Sequence, residues 1–123
     1  MLRDTTERLI IASKGRFDRV GRETWEFDGI TWNQVATINA PAPREEFGMV
    51  FDASRNRVVV FGGCDEGTAS IFGDTWEYNG SNWTEVTPAN SPTPRFRGMF
   101  EYDSNRSRSV WFGGFDGTNQ LTQ

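Results

Sequence analysis

Thr24-Trp25-Glu26-Phe27-Asp28-Gly29 returns 51 positions later as Thr75-Trp76-Glu77-Tyr78-Asn79-Gly80, and Trp32 returns as Trp83. Working outward, Pro41, Pro43 and Arg44 return as Pro92, Pro94 and Arg95. Asp52, Arg55, Arg57, Phe61, Gly62 and Gly63 return as Asp103, Arg106, Arg108, Phe112, Gly113 and Gly114. The offset of 51 holds without a gap from residue 24 to residue 63. A period near 50 marks a repeat architecture, in which each unit is one supersecondary element stacked on its neighbours.

Inside one period the pattern is strand throughout. Thr75–Tyr78 and Asn82–Val86 alternate polar and apolar residues around Asn79-Gly80, and Trp25–Phe27 and Thr31-Trp32 do so around Asp28-Gly29. Asn-Gly and Asp-Gly supply the positive φ of tight hairpin turns. Phe47–Phe51 and Arg57–Phe61 are β-rich runs flanking the polar turn Asp52-Ala53-Ser54-Arg55-Asn56. Four strands per period follow: A (about 45–51), B (57–61), C (73–78) and D (82–86). No stretch has the signature of a helix. Residues 7–36 read as strands B, C and D of a degenerate first unit, 41–87 as a complete unit, and 92–114 as strands A and B of a third.

Four-stranded units of this length with paired tryptophans describe the blades of a β-propeller. Phe61-Gly62-Gly63 with Trp76 and Trp83, and Pro43-Arg44 with Phe51-Asp52, each with its counterpart, resemble the Kelch repeat from about residue 8 to residue 117. The resemblance implies an all-β fold of Kelch-like blades in an incomplete ring of about two to two and a half units. Two departures stand out. The family often carries histidine three residues after the arginine, where this chain has Phe47 and Gly98. Its propellers also usually have six or seven blades.

Composition narrows the chemistry. The chain has 123 residues, a net charge of −4 and no histidine. Without imidazole there is no Ser-His-Asp triad and no His-ligated zinc. The galactose-oxidase-like copper chemistry that the resemblance admits needs histidine ligands, so the expectation is a non-enzyme with no metal or cofactor. Acidic and basic residues are interspersed, without the basic cluster that tracks a phosphate backbone, which argues against nucleic acid. Runs such as Val58–Phe61 are far too short to span a bilayer. No apolar leader follows Met1, and the compartment stays open. The single Cys64 excludes an internal disulfide.

The repeat separates scaffold from candidate site. Trp25, Trp32, Trp76 and Trp83, with Gly62, Gly63, Gly113 and Gly114, recur and so read as structural: indoles that pack sheet on sheet, and glycines at positive φ or close approach. Connections A–B and C–D are short and recur faithfully. Connections B–C and D–A emerge together on the opposite face and vary, and loops held by a rigid scaffold commonly carry binding. The binding candidates are Arg44, Glu45, Glu46, Asp65, Glu66, Arg95, Arg97, Phe115 and Asp116. Arg44 and Arg95 open strand A, where a guanidinium either presents a fork to a carboxylate ligand or closes an ion pair with Glu26, Glu77 or a neighbouring Asp. Arg55, Arg57, Arg106 and Arg108 read as solvated turn residues. Asp65-Glu66-Gly67 and Asp116-Gly117 are fragments of a calcium-loop pattern without its full spacing.

Two functional readings follow. In the first, the chain presents its variable loops to a protein or carbohydrate partner. In the second, it is a purely structural propeller segment without a ligand of its own. About two blades leave two end faces bare, and large apolar patches mark interaction sites. A homo-oligomer that closes the ring, or a longer parent chain, would cover them.

Overall fold

The computed structural model describes residues 2–3, 9–13 and 23–123. Those residues are all-β, built from antiparallel pairs, with no helix among them. The strands are β1 (Leu2–Arg3), β2 (Leu9–Ser13), β3 (Glu23–Phe27), β4 (Trp32–Val35), β5 (Gly48–Asp52), β6 (Arg57–Phe61), β7 (Cys64–Asp65), β8 (Ser70–Ile71), β9 (Thr75–Tyr78), β10 (Trp83–Val86), β11 (Met99–Asp103), β12 (Arg108–Phe112), β13 (Gly114–Phe115) and β14 (Gln120–Leu121). The first sheet has the order β1-β2-β3-β4 and the second β10-β9-β6-β5, while β11 and β12 form a third, two-stranded sheet. The first sheet therefore carries a short strand, β1, ahead of the three that the sequence pattern outlines. Two further hairpins, β7-β8 and β13-β14, sit inside the B–C connections.

Alternation decides which face of each strand meets which neighbour. In the second sheet Val58, Val60, Tyr78 and Trp83 share one face and form a buried cluster with Ala40, against which Val35 of β4 packs. Across this joint the Trp83 indole donates to Thr24 Oγ1 at 2.8 Å, and the Tyr78 hydroxyl donates to Glu26 Oε2 at 2.8 Å. The opposite face of the second sheet carries Val50, Val59 and Phe61, all buried. Phe61 meets Trp111 edge to face, with ring centroids 5.1 Å apart. Gly48 and Gly98 lie directly against the Trp111 ring, where a Cβ would collide with it. The second sheet is thus sandwiched between the first and the third.

The hairpin turns are four-residue connections. Tyr78 pairs with Trp83 and Phe27 with Trp32. Only the glycine of each Asp-Gly or Asn-Gly pair takes positive φ, +100° at Gly29 and +99° at Gly80. Asp28 and Asn79 instead accept backbone hydrogen bonds: Asp28 Oδ1 from Ile30 and Thr31, and Asn79 Oδ1 from Ser81 and Asn82. The A–B turn is closed the same way, Asp52 accepting from the amides of Ser54 and Arg55, and Asp103 from those of Asn105 and Arg106.

Candidate functional site

The diglycine bends bring the variable loops together. Gly62, Gly63, Gly113 and Gly114 all have positive φ, between 71° and 106°. At Gly63 a Cβ would stand 2.8 Å from Phe47 Cβ and 2.9 Å from the Glu45 carbonyl, so only glycine lets β6 turn beneath the D–A connection. The Gly63 amide donates to the Arg95 carbonyl at 2.9 Å, which ties the second repeat to the third. Glu45 and Cys64 exchange backbone hydrogen bonds at 2.8 and 2.9 Å, and Phe96 and Phe115 repeat that exchange one unit later at 3.1 and 2.8 Å.

Arg44 and Arg95 lie inside this bend, with fractional exposures of 4% and 3%. Arg44 makes a bidentate pair with Asp74 at 2.6 and 2.8 Å, donates to the Gly62 carbonyl, and stacks over Phe72 with its guanidinium carbon 4.0 Å from the ring centroid. Arg95 donates to the carbonyls of Thr93, Gly113 and Gln123 and to Thr93 Oγ1. Neither presents a fork outward, because inward carbonyls and, for Arg44, a carboxylate take up the guanidinium donors. Both guanidiniums are thus committed to internal partners, as in the ion-pair alternative for Arg44. Asp74 also accepts the Trp76 indole N–H at 2.7 Å, as Glu23 accepts that of Trp25 at 2.9 Å. Burial pulls the Asp74 carboxyl upward, but the hydrogen bonds from Arg44 and Trp76 outweigh it and hold it below its usual range.

Glu45, Glu46, Asp65 and Glu66 gather around Cys64. Its thiol is buried and lies 3.7 Å from Glu46 Oε2. Burial, then the charges of Glu46, Glu45 and Glu66, push the thiol up to about 11. Arg97 reaches across from the next repeat, its Nε 3.0 Å from Glu46, and its amide donates to the Glu46 carbonyl at 3.2 Å. Residues 46 and 97 occupy the same repeat position with opposite charge, so they bolt consecutive units together at the surface. Asp65 and Asp116 spend carboxylate oxygens on their own turns. Asp65 Oδ1 accepts from Gly67, and Asp116 Oδ1 from Thr118 and Asn119. Among the described residues no group of three or more Cys, Asp or Glu is placed to hold a metal ion.

Phe115 is half-buried edge to face against Phe96, with centroids 5.6 Å apart. It lies one repeat on from Cys64. The outward groups on this face are therefore Glu46, Glu66 and Arg97, with Asp65 and Asp116 half-covered. Two open grooves lie elsewhere. One, of about 390 Å³, runs along Thr37–Ala40, and the other, of about 340 Å³, lies between β5 and β11 and is lined by Met49, Val50, Phe51, Phe100, Glu101 and Tyr102.

At the opposite end, Arg55 and Arg106 are more than solvated turn residues. Arg55 bridges Asp52 and Glu77 at 2.8 and 2.6 Å, and Arg106 holds Asp103 at 2.7 Å. Sequence reading missed the carboxylate two residues before each hairpin tryptophan, Glu23 before Trp25 and Asp74 before Trp76. That spacing was visible in the repeat and is its available signal.

No protein-family model matches the chain. A 75-residue match, covering 55% of the chain, is 40% identical to part of a protein named dynein alpha chain, flagellar outer arm, from Chlamydomonas reinhardtii. The chain spans only 2% of that protein's length. Such a likeness carries no activity from the larger protein to this one.

Proposed function

We propose that this chain is a non-enzymatic, Kelch-like propeller module that presents its B–C and D–A connections to a partner molecule. The single observation that supports it best is the Glu46–Arg97 contact. It joins the variable loops of two repeats into one surface on which Glu66, Asp65 and Asp116 also stand. The outward groups are ionic, so a protein with a charged surface is favoured over a carbohydrate, which would call for an exposed aromatic platform. The test is capture from a protein mixture and binding to a glycan array by the wild type and by a Glu46→Ala/Glu66→Ala/Arg97→Ala variant. Binding should disappear in the variant while its thermal unfolding stays within a few degrees of wild type.

A second reading, a structural segment with no ligand of its own, has its own support. Arg44 and Arg95 are committed to internal partners, and Arg97 to Glu46. Equal capture by wild type and variant, or capture by neither, would favour it.

A further inference from the structure

The joint between the first and second sheets exists a second time as two unjoined halves. Its male half is the Tyr78–Trp83 pair, whose rings lie 5.1 Å apart, with Trp83 0% exposed. Its female half is Thr24, Glu26 and Val35. The counterpart of the male half is Phe27–Trp32, with rings 5.0 Å apart on the other face of the first sheet, and there Trp32 is 41% exposed. The counterpart of the female half is Thr75, Glu77 and Val86, on the face of the second sheet turned toward β11 and β12. One half sits on the outer side of the first sheet and the other beyond the second, so a single chain cannot bring them together.

The substitutions at these two halves are complementary. Glu26 takes its hydrogen bond from the Tyr78 hydroxyl. A Phe27 partner brings no hydroxyl, and Glu77 takes its hydrogen bonds from Arg55 instead. The third sheet fits the same reading. The β12 strand pairs only with β11 among the described residues, whereas its counterpart β6 is paired on both edges. Met99, Val110 and Phe112 are 66%, 42% and 58% exposed on the face whose counterpart in the second sheet is buried.

We infer that copies of this chain associate head to tail: the β3-β4 hairpin of one copy lies along β12 of the next, with Trp32 seated against Thr75 and Val86. The edge of β3 now held by β2 then passes to the partner's β12. The exchange gives up the five-position pairing of β3 with β2 and sets β3 beside a β11-β12 hairpin paired over five positions, where the β1-β2 pair it leaves is held over two. The contact is heterologous, and the turn that each sheet makes relative to the last closes such a contact into a ring rather than a filament when it sums to a full circle. Each copy supplies two sheets to it, and a ring of four to eight blades holds two to four copies. The inference rests on the propeller reading proposed above, but not on its ligand.

By the β6–β9 register, in which Val58 faces Tyr78, Ser109 of one copy should face Phe27 of the next. The test uses light scattering on the full chain and a cross-link between two single variants, Phe27→Cys and Ser109→Cys, each in a Cys64→Ser background. The expected results are a folded particle of two to four times 14.0 kDa, and a covalent dimer when the variants are mixed and oxidised but not with either alone. A Val110→Asp/Phe112→Asp variant alters residues that the single copy leaves exposed, so it should keep its β circular dichroism and fall to one copy. A folded single copy up to about 100 µM, or assembly that survives the double Asp variant without the mixed cross-link, would overturn the inference.

Discussion

The indole of Trp83 donates to the hydroxyl of Thr24 at 2.8 Å across 59 positions of chain, and the indole is fully buried. Shape and hydrogen bonding act together in this contact, since the ring fills the joint between two sheets and its N–H has a fixed acceptor. Trp83→Ala should cost about 3–5 kcal/mol through the lost transfer energy and the cavity. Thr24→Val keeps the volume and removes the acceptor, so it should cost about 1–3 kcal/mol. Urea denaturation of both variants measures the difference.

Arg44 and Asp74 form a buried pair that is exposed on one side only, with side-chain exposures of 3% and 23%. Asp74→Asn leaves the guanidinium charge inside without its counter-ion and should cost about 3 kcal/mol. The same substitution at Asp103, whose partner Arg106 stands in solvent, should cost clearly less. Thermal unfolding at pH 7 distinguishes the two.

Asp52 should contribute a measurable part of the acid sensitivity. Burial raises its carboxyl, but hydrogen bonds from Arg55, Ser54 and Tyr102 outweigh that and hold it at about 2, against an ordinary 3.8. A carboxyl depressed in the folded state stabilises fully above its unfolded value, and that contribution drains away as pH falls through the folded one. Stability should therefore drop by about 1–2 kcal/mol between about pH 5 and pH 2, with Arg55's exposure trimming the figure. In Asp52→Asn, denaturation curves across that range should lose this part of the slope.

Gly29 and Gly63 have nearly equal φ, +100° and +101°, in different surroundings. A Cβ at Gly29 meets nothing within 4 Å, whereas at Gly63 it meets Phe47 and the Glu45 carbonyl. Gly29→Ala should cost only the backbone term, about 1–2 kcal/mol. Gly63→Ala should cost several kcal/mol or fail to fold, because it adds a steric collision to the same strain. Parallel melting curves of the two variants check the ordering.

Cys64 should resist alkylation. With the thiol pushed up to about 11 and buried beside Glu46, almost none of it is thiolate at pH 8. Iodoacetamide should label the native chain far more slowly than the urea-unfolded chain, by mass spectrometry. Equal rates would contradict this placement.

The strands were legible because period-two alternation and the Trp-x-Phe/Tyr hairpins are local signals. The A–B turn was legible too, since Asp52 and Asp103 bond their own backbones a few residues on. Less could be read where spacing broke. The Gly62 amide donates to the Asp74 carbonyl, but the Gly113 amide donates to that of Gln123, because the excursion after β12 returns two residues sooner than the one after β6. Gln123 thus stands where an ion-pairing carboxylate stood, and Arg95 finds carbonyls instead. Two-residue strands such as β7 and β13 leave no periodic trace, and β1 pairs too briefly to announce itself.

By itself, the order of residues determined an all-β chain of repeated hairpins with diglycine bends, because turn chemistry and side-chain alternation act over a few positions. Only the tertiary structure decided that Arg44 and Arg95 point inward and that Glu46 meets Arg97. It alone decided that Trp83 is covered while Trp32 is bare. Those outcomes depend on which sheet face meets another, and identical local sequence is buried or exposed according to whether a neighbour of matching shape stands beside it.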